Sequence, residues 1–120
     1  MNIVHSGVVV VGSFNLDHVW HSSALPRAGE TLQGRYQTGP GGKGFNQATA
    51  AVRAGAKTVF VCALGNDAAG DIARELSIRD GIDLRALAAT APTGTAGIHV
   101  DDAGRNTIVI GAGANPALGD

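Results

Sequence analysis

Gly41-Gly42-Lys43-Gly44-Phe45-Asn46-Gln47-Ala48 is the stretch on which the reading of this chain turns. It places three glycines, a lysine and an asparagine where a loop passes into a helix. A helix start written for stability alone would differ in two ways. Gly44 in a first turn costs up to about 1 kcal/mol relative to alanine. Lys43 stands near the positive end of the helix dipole, the wrong end for a cation. Local rules broken together point to a functional site. Downstream, Ala50-Ala51-Val52-Arg53-Ala54 is ordinary helix and Gly55 is its stop. The spacing predicts a helix over 41–54 whose first turn offers free backbone N–H groups to an oxygen-rich ligand. Asn46, one turn in, adds a side-chain amide. The competing reading is a packing cluster of glycines with Lys43 in solvent, and it leaves the broken rules unexplained.

On either side of this stretch lie two short apolar runs. Val8-Val9-Val10-Val11 and Val59-Phe60-Val61-Cys62-Ala63-Leu64 read as strands buried on both faces of a parallel sheet. Between the second run and Gly81, residues 68–80 carry Ala69, Ile72, Ala73 and Leu76 at helical spacing. Asp67 is the candidate N-cap and Gly81 the terminator. Ile82-Asp83-Leu84 begins a third strand. Strand, helix, strand, helix in alternation predicts an α/β fold with a parallel sheet. Other segments are extended but too polar for that sheet. They are 14–21, which Pro26 and Gly29 follow, then 31–38, and a hairpin of 96–100 and 106–110 around Asp101-Asp102-Ala103-Gly104-Arg105. A small separate β layer from residues near 14–38 and 95–110 accommodates them. Asp101 and Asp102 in the hairpin loop are expected to be solvated. Gly111-Ala112-Gly113-Ala114-Asn115-Pro116 is a further glycine-rich loop.

Composition narrows the function. Apolar residues make up 44% and charged residues 16%, a globular balance. Net charge is −1, so there is no electrostatic footprint for nucleic acid or an anionic membrane. Glycine accounts for 18 of the 120 residues, about twice its usual share, clustered at element ends where backbone lines sites and turns. The one cysteine, Cys62, excludes an intrachain disulfide and reads as a small core residue. The start Met1-Asn2-Ile3-Val4-His5 lacks the features of a signal peptide, and no run has the length to cross a bilayer. A cytoplasmic location is the default expectation.

Asn15 and Asp17 are two apart on an extended segment and point to one face. An amide beside a carboxylate donates to and accepts from neighbouring hydroxyls, which suits a polyol. The same pair also fits an Asx turn after the first strand. Its place directly after a buried strand favours a ligand, because ligands of open α/β sheets bind beyond the carboxyl ends of the strands. Gly39-Pro40-Gly41-Gly42-Lys43-Gly44 matches G-x-G-x-x-G in letters only. The buried strand ends far upstream at Val11, and no acid follows at the required distance. The P-loop pattern fails at both ends, at Gln37 and Gly44. His5, His18, His21 and His99 show no metal spacing and read as solvated or packed.

Taken with Gly55 and Gly65, the stretch 41–48 resembles the N-terminal signature of the ribokinase-like (PfkB-type) carbohydrate kinases. The agreement extends to Gly12-Ser13-Phe14-Asn15-Leu16-Asp17, to Pro26 with Gly29-Glu30-Thr31, to Gly65-Asn66-Asp67 with Gly70, and to Ala112-Gly113-Ala114-Asn115. It runs over essentially the whole chain and is nearest the branch that acts on ribose. The resemblance implies a large α/β domain, a parallel sheet flanked by helices, with a small β-sheet lid. It implies transfer of the ATP γ-phosphoryl group to a sugar hydroxyl, with Mg2+ and K+ as ions of the full-length enzymes. Carried over by position, Asn15, Asp17, Gly42, Lys43 and Asn46 would bind the sugar. The lid would cover it and, in many members, pair two subunits.

The family is much longer than this sequence. Its late Gly-x-Gly-Asp signature, which carries the catalytic base, has no counterpart here: Gly111-Ala112-Gly113 is followed by Ala114, which cannot take a proton. The resemblance therefore implies the sugar-binding part of a kinase, with no bound ATP, Mg2+ or K+ and no turnover expected of these 120 residues alone. An open sheet edge adds an expectation of self-association. A sugar-binding or subunit-pairing module without chemistry is the first alternative, and a dinucleotide-binding oxidoreductase domain the second. Fructose, ketodeoxygluconate, adenosine and other nucleosides, and pseudouridine stay open beside ribose as substrates.

Overall fold

The computed structural model describes residues 7–119. The β-branched run Val8–Val11 forms β1, and Thr58–Gly65 and Asp83–Ala89 form β4 and β5. These three make a parallel sheet in the order β1-β4-β5, in register from Val8↔Thr58 and Val59↔Asp83. Helices α1 (Lys43–Arg53) and α2 (Ala68–Asp80) pack on one face of it. The residues of β4 that point to that face, Phe60, Cys62 and Leu64, join Val10, Phe14, Phe45, Ala48, Ala73 and Ile82 in the core. Phe45 sits at its centre, edge-on to Phe14 (5.2 Å between ring centroids) and to Phe60 (5.9 Å). Burial pushes the Cys62 thiol up to about 11, the behaviour of an inert core residue.

The second sheet holds β2 (Asn15–His21), β3 (Arg35–Gly41), β6 (Gly94–Val100) and β7 (Asn106–Gly111) in the order β3-β2-β6-β7. Strands β2 and β6 run parallel, while β3 and β7 are antiparallel edges. Asn15, Asp17 and Val19 share one face with Ala96, Ile98, Ile108 and Ile110. The opposite face carries His18, Trp20, Tyr36 and His99 stacked in a row, with His18 Nδ1 2.7 Å from the Tyr36 hydroxyl.

Four expectations need correction. Strand β1 is not buried on both faces: Val9 and Val11 are each 66% exposed, because both helices lie on the other side of the sheet. The polar segment expected over 31–38 is the strand Arg35–Gly41, whose ends are set by pairing with β2 from Asn15↔Gly41 to His21↔Arg35. Gly41 thus belongs to β3, and α1 begins at Lys43 with Gly42 as its N-cap. Asp101 is not solvated; it is 2% exposed and accepts from the Ala103 and Arg105 backbone N–H groups and from Arg105 Nε. Burial pushes its carboxyl up, and these donors outweigh that and hold it low. Asp102 beside it is exposed. His5 lies outside the described residues. Among those described, no group of three His, Cys, Asp or Glu residues is placed to hold a metal. No helix among the described residues is long and apolar enough to cross a membrane.

Candidate functional site

The two sheets meet at the end of β1, where β3 hands over to α1. Gly42 makes the handover with φ 93°, a left-handed conformation that favours glycine; a Cβ there would also stand 2.6 Å from the Ser13 carbonyl oxygen. The Phe45 N–H donates to that same carbonyl at 3.0 Å, which anchors the first turn of α1 to the β1–β2 connection. The Lys43 and Gly44 amides at the positive end of the helix have no backbone acceptor among the described residues.

This junction opens into a cleft of about 270 Å³ lined by Ser13, Asn15, Asp17, Gly42, Lys43 and Asn46, and roofed by Ala96, Ile98, Ile108 and Ile110 of the second sheet. All five residues singled out in the sequence line it. Asn15 is 7% exposed and opens β2; Asp17 follows on the same face. Gly41, on β3, lies so close that any Cβ would run into the Asp17 carboxylate. Burial raises the Asp17 pKa above its ordinary 3.8, with neighbouring His18 pulling weakly the other way. Lys43 and Asn46 are exposed at the cleft mouth. The floor is polar and the roof apolar, the arrangement that suits a small polyol with hydroxyls on one side and C–H groups on the other.

One residue was not singled out as part of the site. Asn115, on the 3-10 turn Asn115–Leu118, donates from Nδ2 to Asn15 Oδ1 at 2.9 Å and accepts from the Phe14 N–H at 3.3 Å. It stands 100 positions from Asn15, and no local pattern reveals that contact. A second network ties the two sheets together. Asp67 caps α2 by accepting from the Gly70 N–H at 2.9 Å, and accepts from Thr93 N–H at 2.8 Å and Thr93 Oγ1 at 2.6 Å; Thr93 immediately precedes β6. These hydrogen bonds, led by the Thr93 hydroxyl, hold the Asp67 carboxyl below its ordinary range. The literal G-x-G-x-x-G match is disposed of by placement: Gly39 and Gly41 lie in an antiparallel edge strand, not in a turn leaving a parallel one.

Fold and cleft together define an α/β unit with a cleft between a parallel sheet and a small second sheet. The chain belongs to the pfkB family of carbohydrate kinases, whose model matches residues 5–120. It is 40% identical over 116 residues to ribokinase of Haemophilus influenzae, covering 94% of this chain and 38% of that protein. It is 46% identical over 113 residues to ribokinase of Mus musculus, covering 92% of this chain and 35% of that one. The structure superimposes on ribokinase from Giardia lamblia with a TM-score of 0.88 at 36% identity, over 96% of this chain and 37% of that one. Ribokinase of Arabidopsis thaliana complexed with ribose and ATP matches with a TM-score of 0.76 at 38% identity, over 92% of this chain and 37% of that one. The chain thus spans little more than a third of the length of these relatives and corresponds to their N-terminal part.

Proposed function

We propose that the cleft binds a sugar, D-ribose, and that the chain is the sugar-binding part of an ATP-dependent sugar kinase. The observation that carries this reading is the convergence of Asn15, Asp17, Gly42, Lys43 and Asn46 on one cleft with an apolar roof. Asp17 accepts from sugar hydroxyls, Asn15, Asn46 and Lys43 supply donors, and Ala96, Ile98, Ile108 and Ile110 cover the carbon skeleton. A roof of this kind keeps water from competing with the sugar for an activated phosphoryl group. The ribokinase relatives support ribose over fructose, ketodeoxygluconate or nucleosides.

The late Gly-x-Gly-Asp signature that carries the family's base has no counterpart in this sequence, and no group of three His, Cys, Asp or Glu residues among those described is placed to hold a metal. ATP, Mg2+ and K+ belong to the part of the family's fold that these residues do not span. The uncovered apolar face of β1, with Val9 and Val11 exposed, is consistent with further structure packing there. The second sheet acts as a lid over 14–38 and 95–110, and pairs with the lid of a second copy. Every residue of its edge strand β7 is exposed, including Ile108, Val109 and Ile110. A cytoplasmic location is part of the same reading.

Calorimetric titration of the chain tests this reading, with D-ribose first and D-fructose, ketodeoxygluconate and adenosine as comparators. Saturable binding of ribose, with no sugar phosphate formed when MgATP is added, is the expected result. Absence of binding by every sugar overturns it.

A further inference from the structure

Asn15 and Asn115 form more than a contact. A backbone N–H can only donate, so the Phe14 N–H decides which end of the Asn115 amide is oxygen. The NH2 of Asn115 is then turned to Asn15, and only the oxygen of Asn15 can meet it. Asn15 Nδ2 is left pointing away from Asn115, without a partner among the described residues, on a side chain that lines the cleft. The surrounding backbone is shaped around this pair. A Cβ on Gly94 would run into both Asn115 Nδ2 and Asn15 Oδ1. Gly113, at φ 54°, lies against the Thr93–Gly94 backbone, with Gly94 N 2.9 Å from its ideal Cβ, and the Asn115 N–H donates to the Ala112 carbonyl at 3.0 Å.

We propose that Asn115 is a positioning residue that fixes the hydrogen-bond polarity of the sugar site. Through the relay from Phe14 N–H to Asn115 to Asn15, it makes Asn15 present a donor beside the acceptor carboxylate of Asp17. The site is thereby set for two neighbouring hydroxyls, one accepting from Asn15 and the other donating to Asp17. This inference rests on the sugar-binding reading of the cleft. A residue outside the cleft thereby governs which polyol is held: with the amide reversed, two acceptors would face the ligand side by side.

The test uses Asn115→Asp, Asn15→Ala and the double variant of the full chain, titrated with D-ribose. Aspartate still accepts from Phe14 N–H but offers Asn15 only an acceptor, so the Asn15 amide turns over. N115D is expected to weaken ribose binding roughly tenfold in the presence of Asn15. In the N15A background the same change should alter binding by less than about twofold, because the two sites act as one. Equal losses in both backgrounds would mean that Asn115 acts only on the fold, and would overturn the proposal. A second readout is independent of ribose: hydrogen exchange of the side-chain NH2 groups followed by NMR. In the unaltered chain the Asn115 NH2 should be protected and that of Asn15 exchange fast; in N115D the Asn15 NH2 should gain protection. The reverse pattern in the unaltered chain overturns the relay. The expected pattern without any ribose binding overturns the sugar reading alone.

Discussion

Gly44 and Gly12 touch backbone to backbone: a Cβ on Gly44 would stand 2.8 Å from both the Cα and the carbonyl carbon of Gly12, and one on Gly12 would stand 3.0 Å from the Gly44 Cα. The first turn of α1 is seated directly on the end of β1, which carries Lys43 and Asn46 to the cleft. Packing therefore accounts for Gly44, while the positive φ accounts for Gly42. Of the two explanations weighed in the sequence, packing covers Gly44, and Gly42 is required by its backbone conformation whether or not a ligand binds. Helix propensity alone says that Gly44→Ala stabilises by about 1 kcal/mol. Overpacking against backbone that cannot move aside costs about 1–3 kcal/mol and is expected to win. Urea denaturation should show G44A less stable than the parent, and an increase in stability would contradict the close approach.

Asp17 should show stability and binding moving in opposite directions. Burial raises its pKa, so the folded chain holds the proton more tightly than the unfolded chain. Ionised Asp17 therefore costs stability at neutral pH, and Asp17→Asn should raise the unfolding midpoint. The same change removes the charged acceptor from the cleft and should weaken sugar binding by about tenfold or more; Asp17→Ala should abolish it. As the carboxylate is the binding form, ribose affinity of the parent should fall as the pH drops through the raised pKa, starting above the ordinary 3.8. In D17N that window should be flat. Calorimetry across the acidic range reads both effects.

What could be read in advance was what local chemistry decides. Helix α2 runs from Ala68 to Asp80 as expected, because Asp67 caps it by its own side chain and Gly81 ends it at φ 75°. The hairpin of β6 and β7 is likewise local. Strand β3 was misplaced because its bounds come from register with β2, and Pro40 within it is tolerated only because β3 is an edge. Exposure of Val9 and Val11 depends on which side of the sheet the helices choose, which a run of valines does not encode. Asp101 looks like any loop aspartate until Arg105 folds back on it. The cleft residues were legible as types that break helix and strand rules, whereas Asn115 breaks none and acts through a partner 100 positions away.

Asp67 should be the acid-sensitive fastener between the two sheets. Its folded pKa lies below 3.8, so its contribution is fully present above that value and is lost as the pH falls through the folded pKa. Asp67→Ala removes a helix cap and two hydrogen bonds to Thr93 and should destabilise by about 2–3 kcal/mol. Thr93→Val keeps the cap and the Thr93 N–H bond, and should cost less. Acid titration of the folded state, followed by circular dichroism, should show the parent losing stability below pH 3.8 more steeply than D67A.

Ile108 tests whether the second sheet pairs with another copy. It lies on edge strand β7, half exposed, on the face that roofs the cleft, opposite Ile98. An exposed apolar edge of this kind associates unless it is blunted by charge. Ile108→Asp places a charge on that face without touching the parallel sheet, where the core lies. Sedimentation velocity should show a dimer for the parent and a monomer for I108D. Ribose binding should weaken in the same variant, because one side chain serves both the roof and the pairing face. A monomeric parent would remove the pairing role and leave Ile108 to the roof alone, and in that case I108D should change ribose affinity with no change in sedimentation.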